Sequence, residues 1–422
     1  MGDGMDEAAK AIDRPDPPTG LALSPVDPQF RERPLEVLAR LKATEPVHRD
    51  RVFDRVFFTR LEDVREVLND RGLSVDPRNA RPGGFHRKII RDGEVFEPTM
   101  LHLDDPDHKR VRSLVAQAFQ PRAVERLGPR IREMAAALLD EVEECHSFDV
   151  IAAYAGPLPM AVLAELFGID QADRAMFKRW ANAMSYFFSP RLSDEQRATL
   201  RWGSDNIVNY LARLIEERRV ARGEDLISTL VTAEEEGGRL STREIIGTCQ
   251  LLLVAGNITS TDAIGNGVLA LLRHPDQLRK LRNRPELVRN AVEEILRYDP
   301  PVTQIPRITK GSCEIGGVGL EPGESLTVSV LSANHDAGLN PEPERFDIER
   351  PDPRHFTFGG GAHYCIGAQL ARAQVGIALL TLFERFPDLR LDPSRPIEHK
   401  DAPAFNGLKA LWVETRPGDA EI

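Results

Sequence analysis

The sequence predicts a mainly helical protein with a minor β part, built as one large domain around a long central helix. Three observations predict it. A stretch of over 30 residues begins at a capping box, Ser241-Thr-Arg-Glu244, and stops at Pro275. Its centre is apolar on every side, so it should be buried, and at the usual rise it is roughly 45 Å long. Helical patterns fill the region from Asp105 to Arg218, whereas strand signals are confined to Val52–Phe58 and to the chain beyond Pro300.

In chain order, residues 1–20 are acidic and proline-rich and are expected to be a disordered tail, with the domain covering 21–422. Pro25 to Val75 mixes helix and strand signals. Arg78–Gly93 is rich in Gly, Arg and Pro and reads as a long loop. Asp105-Pro106 predicts a helix start, with Asp as N-cap and Pro at the first helical position. That helix carries His108, Arg112 and Val115. Further helices are predicted over Arg130–Glu144 and between Pro159 and Arg218, with a locally aromatic segment at Ala183–Pro190. Beyond Pro300, strands are expected at Cys313–Val318 and Ser325–Val330, then a coil over Asn334–Arg354. The glycine-rich Phe358–Gly367 opens a last helix, Ala368–Phe386, and Ala402–Val413 reads as a turn and a strand.

Bulk properties narrow the function. A chain of 422 residues can bury a large core around a prosthetic group. Its net charge of −11 argues against nucleic acid as the main partner. The four cysteines, Cys145, Cys249, Cys313 and Cys365, form no CxxC pair. That argues against a cysteine-built zinc site or a disulfide framework and fits a reducing, cytoplasmic compartment. No signal peptide is visible, and no run approaches the ~20 apolar residues of a membrane span.

The sharpest motif is Phe358-Gly-Gly-Gly-Ala-His363-Tyr-Cys365-Ile-Gly367. A dinucleotide fingerprint fails here because Tyr364 stands where the third Gly belongs, and no Lys-Ser/Thr follows to make a P-loop. A lone cysteine is most often a small core residue. This one precedes a helix, where N–H groups and the helix dipole favour a thiolate, and glycines flank it. Such a thiolate can push electron density onto a haem iron.

At these residues the chain resembles the cytochrome P450 superfamily, whose haem signature FGxGxHxCxG is matched by Phe358, Gly359, Gly361, His363, Cys365 and Gly367. The resemblance runs from about residue 30 to the end. It implies the single triangular domain of that fold, with the central helix over haem b (iron protoporphyrin IX) and Cys365 as the iron ligand. Glu294-Ile-Leu-Arg297 resembles the family's ExxR motif, and Pro343-Glu-Arg345-Phe346 resembles the element that supplies a third, structural partner, here Arg345. His108 and Arg112 resemble its HxxxR pair. With Arg307 and His355 they are the cations implied for the haem propionates, although each alone is most simply a solvated charge.

The segment Ala255-Gly256-Asn257-Ile258-Thr259 resembles the oxygen-binding motif of the long helix. Ala255, Gly256 and Thr259 are thus expected beside the haem, with the Thr259 hydroxyl bonded to the Ala255 carbonyl. Isoleucine at 258 replaces the family's usual acid and cannot relay a proton. Asp262, one turn on, is the expected substitute; the plainer alternative pairs it with Lys178 or Arg179.

The resemblance implies a monooxygenase that places one atom of dioxygen in a small hydrophobic or aromatic substrate. Electrons would come from a separate ferredoxin and its reductase, docked near Arg71, Arg110 and Arg372. A monomer is expected. A hydrogen-peroxide-dependent peroxygenase and a haem protein that does not oxygenate are the alternatives. The expected substrate wall contains Phe85, Phe96, Phe187, Phe188, Val302 and Phe405.

Overall fold

The computed structural model describes residues 17–90, 98–184, 192–235 and 240–415. Of the expected tail, 1–16 lies outside the described residues, as do Phe96, Phe187 and Phe188. From Gly20 the chain already belongs to the body: the Gly20 N–H donates to Asp50 Oδ1 at 3.0 Å, and Leu23 is fully buried.

The central helix is Thr242–Arg273, 32 residues without interruption. Its capping box forms as predicted, with Ser241 Oγ accepting from the Glu244 N–H and the Glu244 carboxylate accepting from the Ser241 N–H. Every residue from Ser260 to Leu271 is buried, so the apolar girdle does what its pattern implied. Helices Pro157–Leu166, Asp194–Val220, Val288–Tyr298 and Ala368–Arg385 pack around it.

A five-stranded sheet stands beside the helices, in the order Val47–Asp50, Arg55–Phe58, Ser325–Ser329, Gln304–Thr309, Leu73–Ser74. Arg55–Phe58 and Ser325–Ser329 run parallel; the other neighbours are antiparallel. Near the end of the chain, Glu398–His399 and Leu408–Ala410 form a hairpin. Its 400–407 turn is joined to the segment after the Val288–Tyr298 helix by a bridge between Val302 and Phe405.

Three local expectations shift. The helix expected from Pro106 begins at Asp107, and Asp105 does not cap it; its carboxylate lies 3.3 Å from His108 Nδ1 instead. The helix expected from Arg130 runs Pro121–Asp140, because Pro121 opens it and Pro129 is carried within it. The strand expected over Cys313–Val318 is a hairpin, since Gly316 and Gly317 take φ of +63° and +78° and reverse the chain.

Candidate haem-thiolate site

Cys365 lies in the turn before the Ala368–Arg385 helix, whose N-cap is Gly367. Its N–H donates to the Phe358 carbonyl at 2.8 Å, which closes the glycine-rich loop on itself. The residue is exposed, yet surrounding protein pushes its thiol pKa up through burial. The Gly367 N–H, Arg112 and Arg372 act in the opposite direction and favour the thiolate.

The loop glycines divide their work. Gly361 has φ of +63°, and a Cβ there would lie 2.5 Å from the Leu68 carbonyl oxygen. It lets the loop lie against the Leu61–Asn69 helix. Gly359 also needs its positive φ, +73°. A Cβ on Gly367 would meet nothing within 4 Å, so that side of the loop is open to a flat group.

Four basic groups converge beside this loop. The His108 and His363 rings lie 4.0 Å apart between centroids. Burial, together with His108, Arg307 and Arg112, pushes the His363 pKa down to about 3. Arg307 is buried on its strand and donates to the Pro306 and Leu68 carbonyls; burial lowers its pKa to about 10. Arg112 donates to the Tyr364 carbonyl, and burial lowers its pKa too. Neither arginine forms an ion pair among the described residues, and buried His108 Nε2 has no hydrogen-bond partner. Arginine charge that helps keep His363 neutral favours an anion among these groups. The two carboxylates of a haem meet that chemistry, so the residues fit the group.

His355 does not join this set. Its Nε2 lies 3.1 Å from a Glu293 carboxylate oxygen, which also accepts from Arg372. Bonds from His355 and Arg372 outweigh the effect of burial and hold Glu293 at about 2. The Arg372 guanidinium also sits 4.5 Å from the centroid of the Phe358 ring. Thus His355, Glu293 and Arg372 brace the cysteine loop from behind, and His363 takes the place expected for His355. Of the cations expected to receive a ferredoxin, Arg372 is held by Glu293 and Arg110 by Glu244, while Arg71 is exposed.

The ExxR pair is fully buried, with Arg297 Nε and Nη2 at 2.7 and 2.9 Å from the Glu294 oxygens. The third partner is Arg350, whose Nε lies 3.2 and 3.0 Å from the same two oxygens. Arg345, the residue expected there, turns its guanidinium outward to Glu342 and Asp347. It contributes its carbonyl, which accepts from both Arg297 and Arg350. The sequence signal for Arg350 was weak: one arginine among several in a coil.

On the central helix, Thr259 Oγ1 donates to the Ala255 carbonyl at 2.7 Å, as its spacing predicts. A Cβ on Gly256 would reach Leu163 at 3.5 Å, an ordinary contact, so the glycine leaves space there for no more than a small group. Asp262 is completely buried and pairs with Lys400, not with Lys178 or Arg179. Burial, against the pull of Lys400, pushes its pKa up to about 6. No hydrogen bond joins Asp262 to Thr259 among the described residues. Of the expected substrate wall, half-buried Val302 and Phe405 meet through their backbone bridge. Phe85 stacks on Phe53 at 4.9 Å beneath the Arg55 guanidinium, in an aromatic cluster of its own.

An accessible cysteine before a helix, beside a buried and a half-buried arginine that form no ion pair among the described residues, is the arrangement of a haem-thiolate protein. The profile of the family described as cytochrome P450 matches residues 53–409. The polyketide biosynthesis cytochrome P450 PksS of Bacillus subtilis is 37% identical over 403 residues, spanning 93% of this chain and 98% of that protein. The 6-deoxyerythronolide B hydroxylase of Saccharopolyspora erythraea is 37% identical over 366 residues, spanning 84% and 88%. A crystal structure of P450BioI in complex with an acyl carrier protein ligated to hexadec-9Z-enoic acid superposes with a TM-score of 0.83 at 32% identity, covering 92% of this chain and 99% of that one. The chain belongs to the cytochrome P450 family. It is therefore an enzyme of the haem-iron monooxygenase class, with haem b as cofactor.

Proposed function

We propose that the protein inserts one atom of dioxygen into an apolar or aromatic small molecule, using electrons from a separate ferredoxin and ferredoxin reductase. The observation that carries this reading is Thr259, whose hydroxyl sits in the AGxxT segment of an unbroken helix. Haem, when bound, supplies the oxygen-activating redox chemistry. The chain's own residues hold and shield it. Cys365 is the sulfur ligand. His108, Arg112, Arg307 and His363 receive the propionates by charge-assisted hydrogen bonds. Thr259 Oγ1 offers a hydroxyl that accepts a hydrogen bond, and donates one when it turns from Ala255. Ile258, beside it, is apolar and excludes water.

An apolar substrate is supported by the Val302–Phe405 wall and by relatives named for polyketide biosynthesis and for hydroxylation of 6-deoxyerythronolide B. We further propose action as a monomer in the cytoplasm; among the described residues no helix is long and apolar enough to cross a membrane. The test starts with a library of apolar compounds, scored by the change in haem spin state. A hit is then turned over with ferredoxin, reductase and NAD(P)H under oxygen-18 gas. The expected result is one labelled oxygen atom in the product. Turnover with peroxide and none with the ferredoxin system would instead establish a peroxygenase.

A further inference from the structure

Asp262 lies three residues beyond Thr259 on the central helix, and Asn266 lies one turn beyond Asp262 on the same face. Both side chains grip the 400–407 turn. Lys400 Nζ donates to Asp262 Oδ1 at 2.5 Å, and the Lys400 N–H closes the turn onto the Gly407 carbonyl at 2.9 Å. Asn266 Nδ2 donates to the Asn406 carbonyl at 2.8 Å and to the Asp299 carbonyl at 3.1 Å. The carboxylate of Asp262 lies flat over Gly407, where an added Cβ would fall 2.1 Å from Oδ1. Only glycine allows that approach. The second oxygen, Oδ2, is buried and has no partner, so Lys400 supplies the one hydrogen bond this carboxylate receives among the described residues. A buried charge with a single partner makes that partner's position strongly favoured.

The turn so held carries Phe405, which bridges to Val302. We propose that the Asp262–Lys400 ion pair is a positioning clamp, which fixes the 400–407 turn against the central helix and thereby sets how large a ligand fits between Val302, Phe405 and the Thr259 region. This rests on reading Val302 and Phe405 as substrate wall. Asp262 acts here through Lys400 and Gly407, and not as a proton donor to Thr259.

The test uses the haem-loaded protein and three variants, D262N, K400M and F405A. Hydrogen exchange is followed by mass spectrometry in peptides covering 398–410 and in the Ala368–Arg385 helix as a folding control. Ferric-haem difference spectra give the dissociation constants of imidazole and 4-phenylimidazole. In D262N and K400M the 398–410 amides should exchange about tenfold faster or more, because local opening no longer breaks the pair, while the control helix is unchanged. The ratio of the two dissociation constants should move at least about threefold toward the larger ligand, less than 1 kcal/mol by the usual conversion. Wild-type exchange in 398–410 for both variants, with a changed turnover or pH profile, would overturn the clamp and return Asp262 to proton delivery. An F405A ratio equal to wild type would instead overturn the wall reading, while the exchange measurement still decides the clamp.

Discussion

Arg350 delivers its Nε to within 3.0 and 3.2 Å of the two carboxylate oxygens of Glu294 that also accept from Arg297. The Asp347 N–H adds a fourth donor at 2.9 Å, and Arg350 in turn donates to the carbonyls of Pro341, Glu342 and Arg345. This one carboxylate therefore ties the Val288–Tyr298 helix to the coil that leads into the cysteine loop. Removing one member of a buried, hydrogen-bonded charge network costs about 3–5 kcal/mol, because the remaining charge is stranded. R350M should lose that much in chemical denaturation. R345A, at an exposed guanidinium, should stay within about 0.5 kcal/mol of wild type. Equal losses in the two variants would mean that Arg345 closes the network in solution.

The same pair shows what a sequence can carry. The capping box at Ser241 and Glu244 was legible because both partners lie within one turn, and local spacing fixes their geometry. The Thr259–Ala255 bond was legible for the same reason. Arg350 was not, since Arg345 satisfies the motif equally well, and only the path of the coil turns one guanidinium inward. His355 and His363 pose the same choice beside the cysteine, and Glu293, unremarkable in the sequence, decides it by binding His355. Lys400 meets Asp262 across 138 residues of chain, and no spacing rule reaches that far. The residues proposed to hold the cofactor are thus those whose motifs are local, while the residues that hold them in place come from distant parts of the chain.

Glu293 makes stability depend on pH. Its folded pKa, about 2, lies below the ordinary 4.5, so the folded state binds this proton less tightly than the unfolded state does. Its contribution is present above pH 4.5 and is lost as pH falls toward 2. The difference of roughly 2.5 units corresponds to about 3 kcal/mol for this mostly buried group. E293Q should be less stable than wild type by about that amount at pH 7, and the gap should close as pH falls from about 5 to about 2. A gap that is constant across that range would assign the effect to packing.

Gly407 should tolerate no side chain. The Cβ of alanine would overlap the Asp262 carboxylate, which is fully buried and has no room to withdraw. Overpacking of this kind costs about 1–3 kcal/mol. G407A should show that loss, whereas G317A, where a Cβ meets nothing within 4 Å, should show only the strain of a positive φ. Combining G407A with D262A should recover part of the lost stability, because the second change removes the clashing atoms. Simple addition of the two losses would show that the clash is not the cause.

C365S should retain the fold, since Cys365 is exposed and the change replaces one atom, but the serine oxygen cannot replace a thiolate as iron ligand. The reduced carbon monoxide spectrum should lose its thiolate character completely. Survival of that spectrum in C365S would remove Cys365 from the iron.

Arg307 separates the stability of the protein from its hold on the cofactor. It is buried, its pKa is pushed down to about 10, and among the described residues it forms no ion pair. Without an anion beside it, such a cation weakens the fold, and a neutral chain of similar volume relieves the cost. R307M should therefore make the haem-free protein more stable by about 1 kcal/mol or more. The same change removes a charge-assisted bond to a propionate, worth about 1.5–3 kcal/mol, and haem should transfer to a scavenging globin about tenfold faster or more. The two effects have opposite signs, which no purely structural role of Arg307 produces. A variant that weakened the haem-free protein and left haem transfer unchanged would place Arg307 in the scaffold of the sheet, bound only to the Pro306 and Leu68 carbonyls.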